Sequence, residues 1–205
     1  MRILFMGTPD FAVPTLKSLL ESEHEVVGVV TQPDRPKGRS GRIQYSPVKE
    51  VAMEAGIPVY QPVKVRDEAF LFELRQMYLD VIVVVAFGQI LSKEILAIPE
   101  YGCLNVHASL LPKLRGAAPI QWAVINGEKE SGVTIMQMNE GLDTGDILLS
   151  KKYTLREKET GGSLFDTLST FGGPMILELL KLAGDKKLKH VTQVEEEHTY
   201  AKLVT

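Results

Sequence analysis

Three polar side chains in two short stretches have the types and spacing to do chemistry: Asn105 and His107 in CLNVHASLLP (103–112), and Asp143 in GLDTGDIL (141–148). CLNVH reads as the end of a buried strand, and alternation along a strand sends residues i and i+2 to one face. The Asn105 amide and the His107 imidazole therefore point the same way. Asp143 lies in a loop bracketed by Gly141 and Gly145. An amide can stabilise a developing oxyanion, and an imidazole with a carboxylate can move protons, without a metal or a covalent intermediate. An ordinary imidazole is mostly neutral at neutral pH, and a carboxylate neighbour favours its charged form. Alone, an Asn-x-His pair is an ordinary strand end and Asp-Thr-Gly an ordinary turn.

These side chains need a frame. ILFM (3–6), VVGVV (26–30), VIVVVA (81–86) and CLNVH (103–107) read as buried, β-branched strands. Helical patterns lie between them at 10–21 (Asp10 as a cap), 47–55 (Ser46 as N-cap, Pro47 first, Gly56 at the end), 67–77 (Asp67) and 92–97 (Ser92). Strands alternating with helices give an α/β, Rossmann-like, mostly parallel sheet with helices on both faces and right-handed crossovers. Such sheets bind ligands at the carboxyl ends of their strands, where Gly7, Thr31, Phe87 and His107 fall. Further on, GVTIMQMNE (132–140) and ILLSKKYTL (147–155) read as an antiparallel or mixed edge. A helix is expected over about 163–182, kinked or broken at Gly172-Gly173-Pro174. The tail after Gly184 reads as a poorly packed linker.

A chain of 205 residues, 44% hydrophobic and 24% charged, suffices for one large domain with a proper core. Its single cysteine excludes a disulfide framework and suits a reducing compartment; Cys103, in an apolar strand, is expected to be simply buried. No apolar run approaches the roughly 20 residues that span a bilayer, so a cytoplasmic protein without membrane contact is expected. The chain lacks both G-x-G-x-x-G and G-x-x-x-x-G-K-[ST], which argues against a dinucleotide or ATP site. His24, His190 and His198 are isolated and read as surface residues, and no cluster suggests a metal. The net charge of −3 argues against general nucleic-acid affinity. The segment from Thr31 to Tyr45 nevertheless carries Arg35, Lys37, Arg39 and Arg42 against Asp34 alone. With Gly38 and Gly41 it reads as a mobile arm, without structure of its own, that gathers around phosphates.

Asn105-x-His107, Ser109-Leu110-Leu111-Pro112 and Leu142-Asp143-Thr144-Gly145 together resemble the formyltransferase family that uses 10-formyltetrahydrofolate. GTPDFAVPTL (7–16), TQPDRPKGR (31–39) with SPVK (46–49), and RGAAPIQWAVINGE (115–128) resemble the branch of that family acting on methionyl initiator tRNA. The resemblance covers the whole chain. It implies transfer of a formyl group from 10-formyltetrahydrofolate to the amino group of the methionine, in translation initiation, with Asn105, His107 and Asp143 catalytic and no metal. It implies a folate pocket walled by Ala86, Phe87, Gly88, Gln89, Ile90 and Leu91, by Ser109, Leu110, Leu111 and Pro112, and by Glu140, Gly141 and Leu142. Backbone groups there would read the pterin edge. It assigns Arg35, Lys37, Arg39 and Arg42 to the tRNA, with Arg42 foremost at the acceptor end.

The implied organisation is a catalytic domain over 1–184, with 185–205 beginning a linker to a further domain outside this chain, and a monomer is expected. Two other readings stand beside this one. A sibling transferase acting on a small amine would share Asn105, His107 and Asp143, but the TQPDRPKGR loop argues against it. A folate- or tRNA-binding module without full activity would have no need of all three polar residues.

Overall fold

The β-branched runs do become strands. The computed structural model describes residues 1–205, and contacts divide the chain into two compact units, Met1–Cys103 and Leu104–Thr205. The fold class is α/β and Rossmann-like, a mostly parallel sheet of seven strands with an antiparallel edge.

In the first unit, β1 (Arg2–Gly7) pairs in parallel with β2 (Glu25–Val30) and with β6 (Val81–Val85), and β2 pairs in parallel with β5 (Val59–Tyr60). Ile3 to Met6 and Val81 to Val85 are buried without a break, so both sheet faces are covered. Each such side chain contributes about 1.5–3 kcal/mol by leaving water. The covering helices are α1 (Val13–Leu20) with α2 (Pro47–Glu54), and α3 (Glu68–Arg75) with α4 (Lys93–Ala97).

Ser46 caps α2 as expected, accepting from Lys49 N at 3.1 Å, and Gly56 follows at φ 70. Ser92 caps α4, accepting from Ile95 N, whereas Asp67 precedes α3 without a side-chain bond. Asp10 does not cap α1. It opens a short 3-10 turn, Asp10–Ala12, and Pro14 falls within the first helical turn, where its missing N–H costs nothing.

The arm differs from expectation. Residues 35–44 form an antiparallel hairpin, β3 (Arg35–Lys37) and β4 (Arg42–Gln44), turning through Gly38 at φ 73 and Gly41 at φ 63. Its base is fixed by a polar network: Lys49 Nζ donates to Asp34 Oδ2 at 2.7 Å and to Gln61 Oε1 at 2.9 Å, and Gln61 Nε2 donates to Asp34 Oδ1 at 2.8 Å. The hydrogen bond from Lys49, then that from Gln61, hold the Asp34 carboxyl below its ordinary range.

In the second unit, β9 (Glu130–Gln137) pairs antiparallel with β7 (Cys103–His107) and with β10 (Ile147–Thr154). The expected long helix is two, α6 (Gly161–Ser169) and α7 (Gly172–Gly184). The break falls before Pro174, which then occupies the first turn of α7. Leu164, Leu168, Met175 and Leu179 are buried along these two helices, while Phe171 at the break is half-buried. A helix the pattern did not single out, α5 (Pro119–Ile125), begins directly at Pro119.

The tail is not loose. Within 185–205, Val191 exchanges backbone hydrogen bonds with Ile147, and β11 (Tyr200–Ala201) pairs in parallel with β8 (Arg115–Gly116). Ala201 is fully buried and Gln193 nearly so. Composition suggested a linker because most of its residues do face water; its order comes from backbone pairing, which composition does not encode. No helix is long and apolar enough to cross a membrane.

Ser46 also shares a hydrogen bond of 2.7 Å with the buried Thr31 hydroxyl. Ser46→Ala is therefore expected to cost about 1–2 kcal/mol, from the lost cap and the orphaned hydroxyl. Urea denaturation read by circular dichroism measures it, with an unchanged midpoint as the contrary result.

Candidate active site

Strand register sets the first two side chains. Asn105 lies opposite Met136 and His107 opposite Thr134 on β9, with Val106 between them buried to the other side. Asn105 is half-buried, while His107 is buried. The His107 ring is held by the loop that follows: its Nε2 lies 2.8 Å from the Leu114 carbonyl oxygen. A carbonyl only accepts, so Nε2 carries the hydrogen, and Nδ1 is the ring nitrogen left for proton exchange. Nδ1 faces Asp143 Oδ2 at 3.8 Å, a distance that makes an ion pair when the ring is protonated.

Asp143 is only 9% exposed and sits at φ 55, in the left-handed region. Its Oδ2 accepts from the Gly116 N–H at 2.8 Å. Nearby, Gly145 is obligatory for packing, since a Cβ there would collide with the Gln137 carbonyl. Asn139 steadies the exposed side of the same loop, its Oδ1 accepting from Gly141 N at 3.0 Å and Thr144 Oγ1 at 2.7 Å. Glu140, Gly141 and Leu142 are exposed there.

The tripeptide Leu114-Arg115-Gly116 thus touches both members of the pair: the Leu114 carbonyl holds His107 and the Gly116 amide holds Asp143. It is itself held by the tail. Leu114 N donates to Thr199 Oγ1 at 2.8 Å, and Arg115 N to Thr199 O at 3.0 Å. Gly116, at φ 105, lies against β11 so closely that a Cβ would meet the Ala201 carbonyl at 2.8 Å. The Arg115 guanidinium is buried and bonds to Gln193 and Glu195. Those bonds from Arg115 hold the Glu195 carboxyl below its ordinary range.

The loop between His107 and Leu114 is fastened to Thr134, which is fully buried. Thr134 Oγ1 donates to the Ser109 carbonyl at 2.7 Å and accepts from Leu111 N at 3.1 Å. Ser109 Oγ closes the loop onto the Lys113 carbonyl at 2.6 Å, and the Leu111–Pro112 peptide is cis. Ser109 and Leu111 are therefore buried supports, while Leu110 and Pro112 are half-buried.

In the first unit, the 86–91 segment turns on Ala86 at φ 50 and Gly88 at φ 97. Phe87 and Leu91 are buried, Gly88 is exposed, and Ile90 is 81% exposed. Gln89 is committed to structure: its Oε1 accepts from Val65 N at 2.8 Å, and its Nε2 donates to Gln32 Oε1 at 3.0 Å and Pro62 O at 3.1 Å. Arg35, Lys37, Arg39 and Arg42 are all exposed on the hairpin, with Lys37 directly opposite Arg42. Burial pushes the Cys103 thiol up to about 12, so this cysteine packs as an apolar group. His190 and His198 are exposed as expected, but His24 is half-buried beside the N-terminal amine, with its Nδ1 at 3.0 Å.

Sequence reasoning missed Thr134, Arg115, Gln193 and the backbone groups of Leu114 and Gly116. Arg115-Gly116 lay inside the RGAAPIQ motif without a role, and nothing in the sequence near Gln193 marked it.

An α/β fold carrying this Asn, His and Asp set has relatives. The sequence pattern described as Formyl transferase matches residues 1–180, and the chain belongs to that family. It is 56% identical over 205 residues to the methionyl-tRNA formyltransferase of Agathobacter rectalis and 57% identical over 204 residues to that of Lachnospira eligens. Both alignments cover 100% of this chain, but only 66% and 65% of those proteins, so the chain spans just under two thirds of their length. Among solved structures, the phosphoribosylglycinamide formyltransferase of Anaplasma phagocytophilum superposes with a TM-score of 0.77 at 19% identity, covering 100% of this chain and 99% of that one. The sugar 3N-formyl transferase WlaRD, crystallised in the presence of dTDP and 5-N-formyl-THF, superposes with a TM-score of 0.74 at 20% identity, covering 98% and 69%. At those identities the likeness is one of fold.

Thr134→Val keeps the shape of the side chain but leaves the Ser109 carbonyl and the Leu111 amide without their partner. About 2 kcal/mol or more of stability should be lost, since each buried orphan costs about 1–3 kcal/mol. A chemical denaturation midpoint equal to that of the unchanged protein would show that the loop is held otherwise.

Proposed function

We propose that this chain is the catalytic part of an enzyme that moves a formyl group from 10-formyltetrahydrofolate to the amino group of methionyl initiator tRNA. The observation that carries the reading is the locked His107–Asp143 pair beside Asn105, in a chain more than half identical to enzymes named for that reaction. The amine nitrogen attacks the formyl carbon, forming a C–N bond and an oxyanion. Asn105 donates to that oxyanion. The amine gives up one proton and the folate N10 gains one as the old C–N bond breaks, so that formamide and tetrahydrofolate leave. His107 Nδ1, with Asp143 beside it, is the group that carries charge and proton between them.

The folate is assigned, in the first unit, to residues 86–91, where Gly88 is exposed, and, in the second, to residues 109–112 and 140–142, where Glu140, Gly141 and Leu142 are exposed. Ser109, Leu111 and Gln89 act as supports, because their hydrogen bonds are spent internally. No salt bridge involves Arg35, Lys37, Arg39 or Arg42, which supports a role toward phosphates. The catalytic residues all lie within 1–184, and the longer relatives continue beyond the aligned region. The reading is of a monomer in the cytoplasm, a reducing compartment that suits the one buried, unpaired cysteine.

In a single-turnover formyl-transfer assay, Asn105→Ala and His107→Ala should each lower the rate on the order of 100- to 1000-fold while the protein stays folded. Near-normal rates in either would remove that residue from the chemistry.

Binding of initiator tRNA should weaken with salt. Changing Arg39 and Arg42 together to Ala should flatten the log–log slope by about 1.5 units, at about 0.7–0.9 per phosphate neutralised. Thermal protection by a reduced folate should be unaffected. An unchanged slope takes the hairpin out of the tRNA site and favours a small-amine substrate.

A further inference from the structure

Asp143 is held at both ends. Its carboxylate meets the Gly116 amide, and its own carbonyl oxygen accepts from Gln193 Nε2 at 2.9 Å. The same amide nitrogen donates its second hydrogen to the Gly145 carbonyl at 2.7 Å. Gln193 comes from the tail, fifty residues further along the chain. Which end of its amide faces the loop is settled by Arg115: the guanidinium only donates, and its Nε and Nη2 lie 3.1 and 2.9 Å from Gln193 Oε1. Gln193 and Arg115 are 8% and 3% exposed, so water offers little substitute for these bonds. Glu195, 68% exposed along its side chain, closes the relay on the solvent side with Nη1 and Nη2 of Arg115 at 3.2 and 3.0 Å.

We propose that Gln193, oriented by Arg115, is a positioning residue for Asp143: it clamps the Asp143 and Gly145 carbonyls and so keeps the Asp143 carboxylate aimed at His107. Asp143 occupies the left-handed region, which Asp tolerates better than most side chains but which still costs energy unless its surroundings impose it. Gln193 supplies that imposition at the carbonyl, and Gly116 supplies it at the carboxylate. The tail therefore works as part of the catalytic unit. This inference rests on the catalytic reading of Asp143.

The test uses this chain, 10-formyltetrahydrofolate and methionyl initiator tRNA under single-turnover conditions. Gln193→Glu keeps the size and the bonds to Arg115 but removes both donors. The rate should fall on the order of 100-fold, as a displacement near 1 Å can cause. Thermal unfolding should stay cooperative, and hydrogen exchange at the Gly116 amide should accelerate. If Gln193 acts through Asp143, Gln193→Glu in an Asp143→Asn background should lower the rate less than about twofold further, since residues acting as a unit are non-additive. Should Gln193→Glu fail to fold, Arg115→Lys enters the same cycle, keeping a cation on Oε1 but losing the two-pronged hold. A Gln193→Glu protein with full rate, or the same factor in both backgrounds, overturns the inference. If Asp143→Asn itself keeps a near-normal rate, the catalytic reading falls and this inference with it. If Asp143→Asn is crippled while Gln193→Glu is not, only this inference falls.

Discussion

A carboxylate that is almost wholly withdrawn from water must be repaid with hydrogen bonds or a cation, or it will take up a proton instead. The buried Asp143 carboxylate accepts one backbone N–H and has the His107 imidazole 3.8 Å away, and much of the second unit follows from the need to keep both in place. The Gly116 amide can reach the carboxylate only if the Leu114-Arg115-Gly116 segment, with positive φ at Leu114 and Gly116, is fixed. That segment has no strand of the main sheet beside it, so β11 supplies its pairing. Bringing β11 there carries Gln193 and Glu195 past the guanidinium of Arg115, which in turn has to be neutralised because it is buried.

The parallel strands of the first unit contribute rigidity of a different kind. Uninterrupted burial along β1 and β6 makes their ends poor places for motion, and the turns that leave those ends, such as 86–91, inherit fixed starting points. The positive φ values at Ala86 and Gly88 let that turn reverse sharply while Thr8 Oγ1 donates to the Phe87 carbonyl at 2.9 Å. Backbone left exposed there is available because its neighbours are not.

How far the chain could be read from its sequence depended on the range of the interactions involved. β7 was legible to the residue because an apolar run has a period and an end, and Asn105 and His107 stood out because polar groups rarely close such a run. Ser46-Pro47 announced α2 because capping is a matter of adjacent residues. By contrast, β5, β8 and β11 are two-residue strands created entirely by the segments they meet. Charge masks the hairpin in the arm: Arg35, Lys37 and Arg42 belong to the residues that suggest solvated loop, and Gly38 and Gly41 suit a flexible segment as well as a tight turn. Gln193 is legible only in three dimensions, since a glutamine in a charged tail differs in no local way from its neighbours.

The register of that hairpin sets Lys37 against Arg42, two like charges on facing strands. Dissolved salt screens their repulsion, and so does a polyanion laid across them. The arm is thus a spring loaded by its own charge. Added electrolyte relaxes it, so order in the free hairpin rises with ionic strength, the reverse of the usual loosening of charge-held structure by salt.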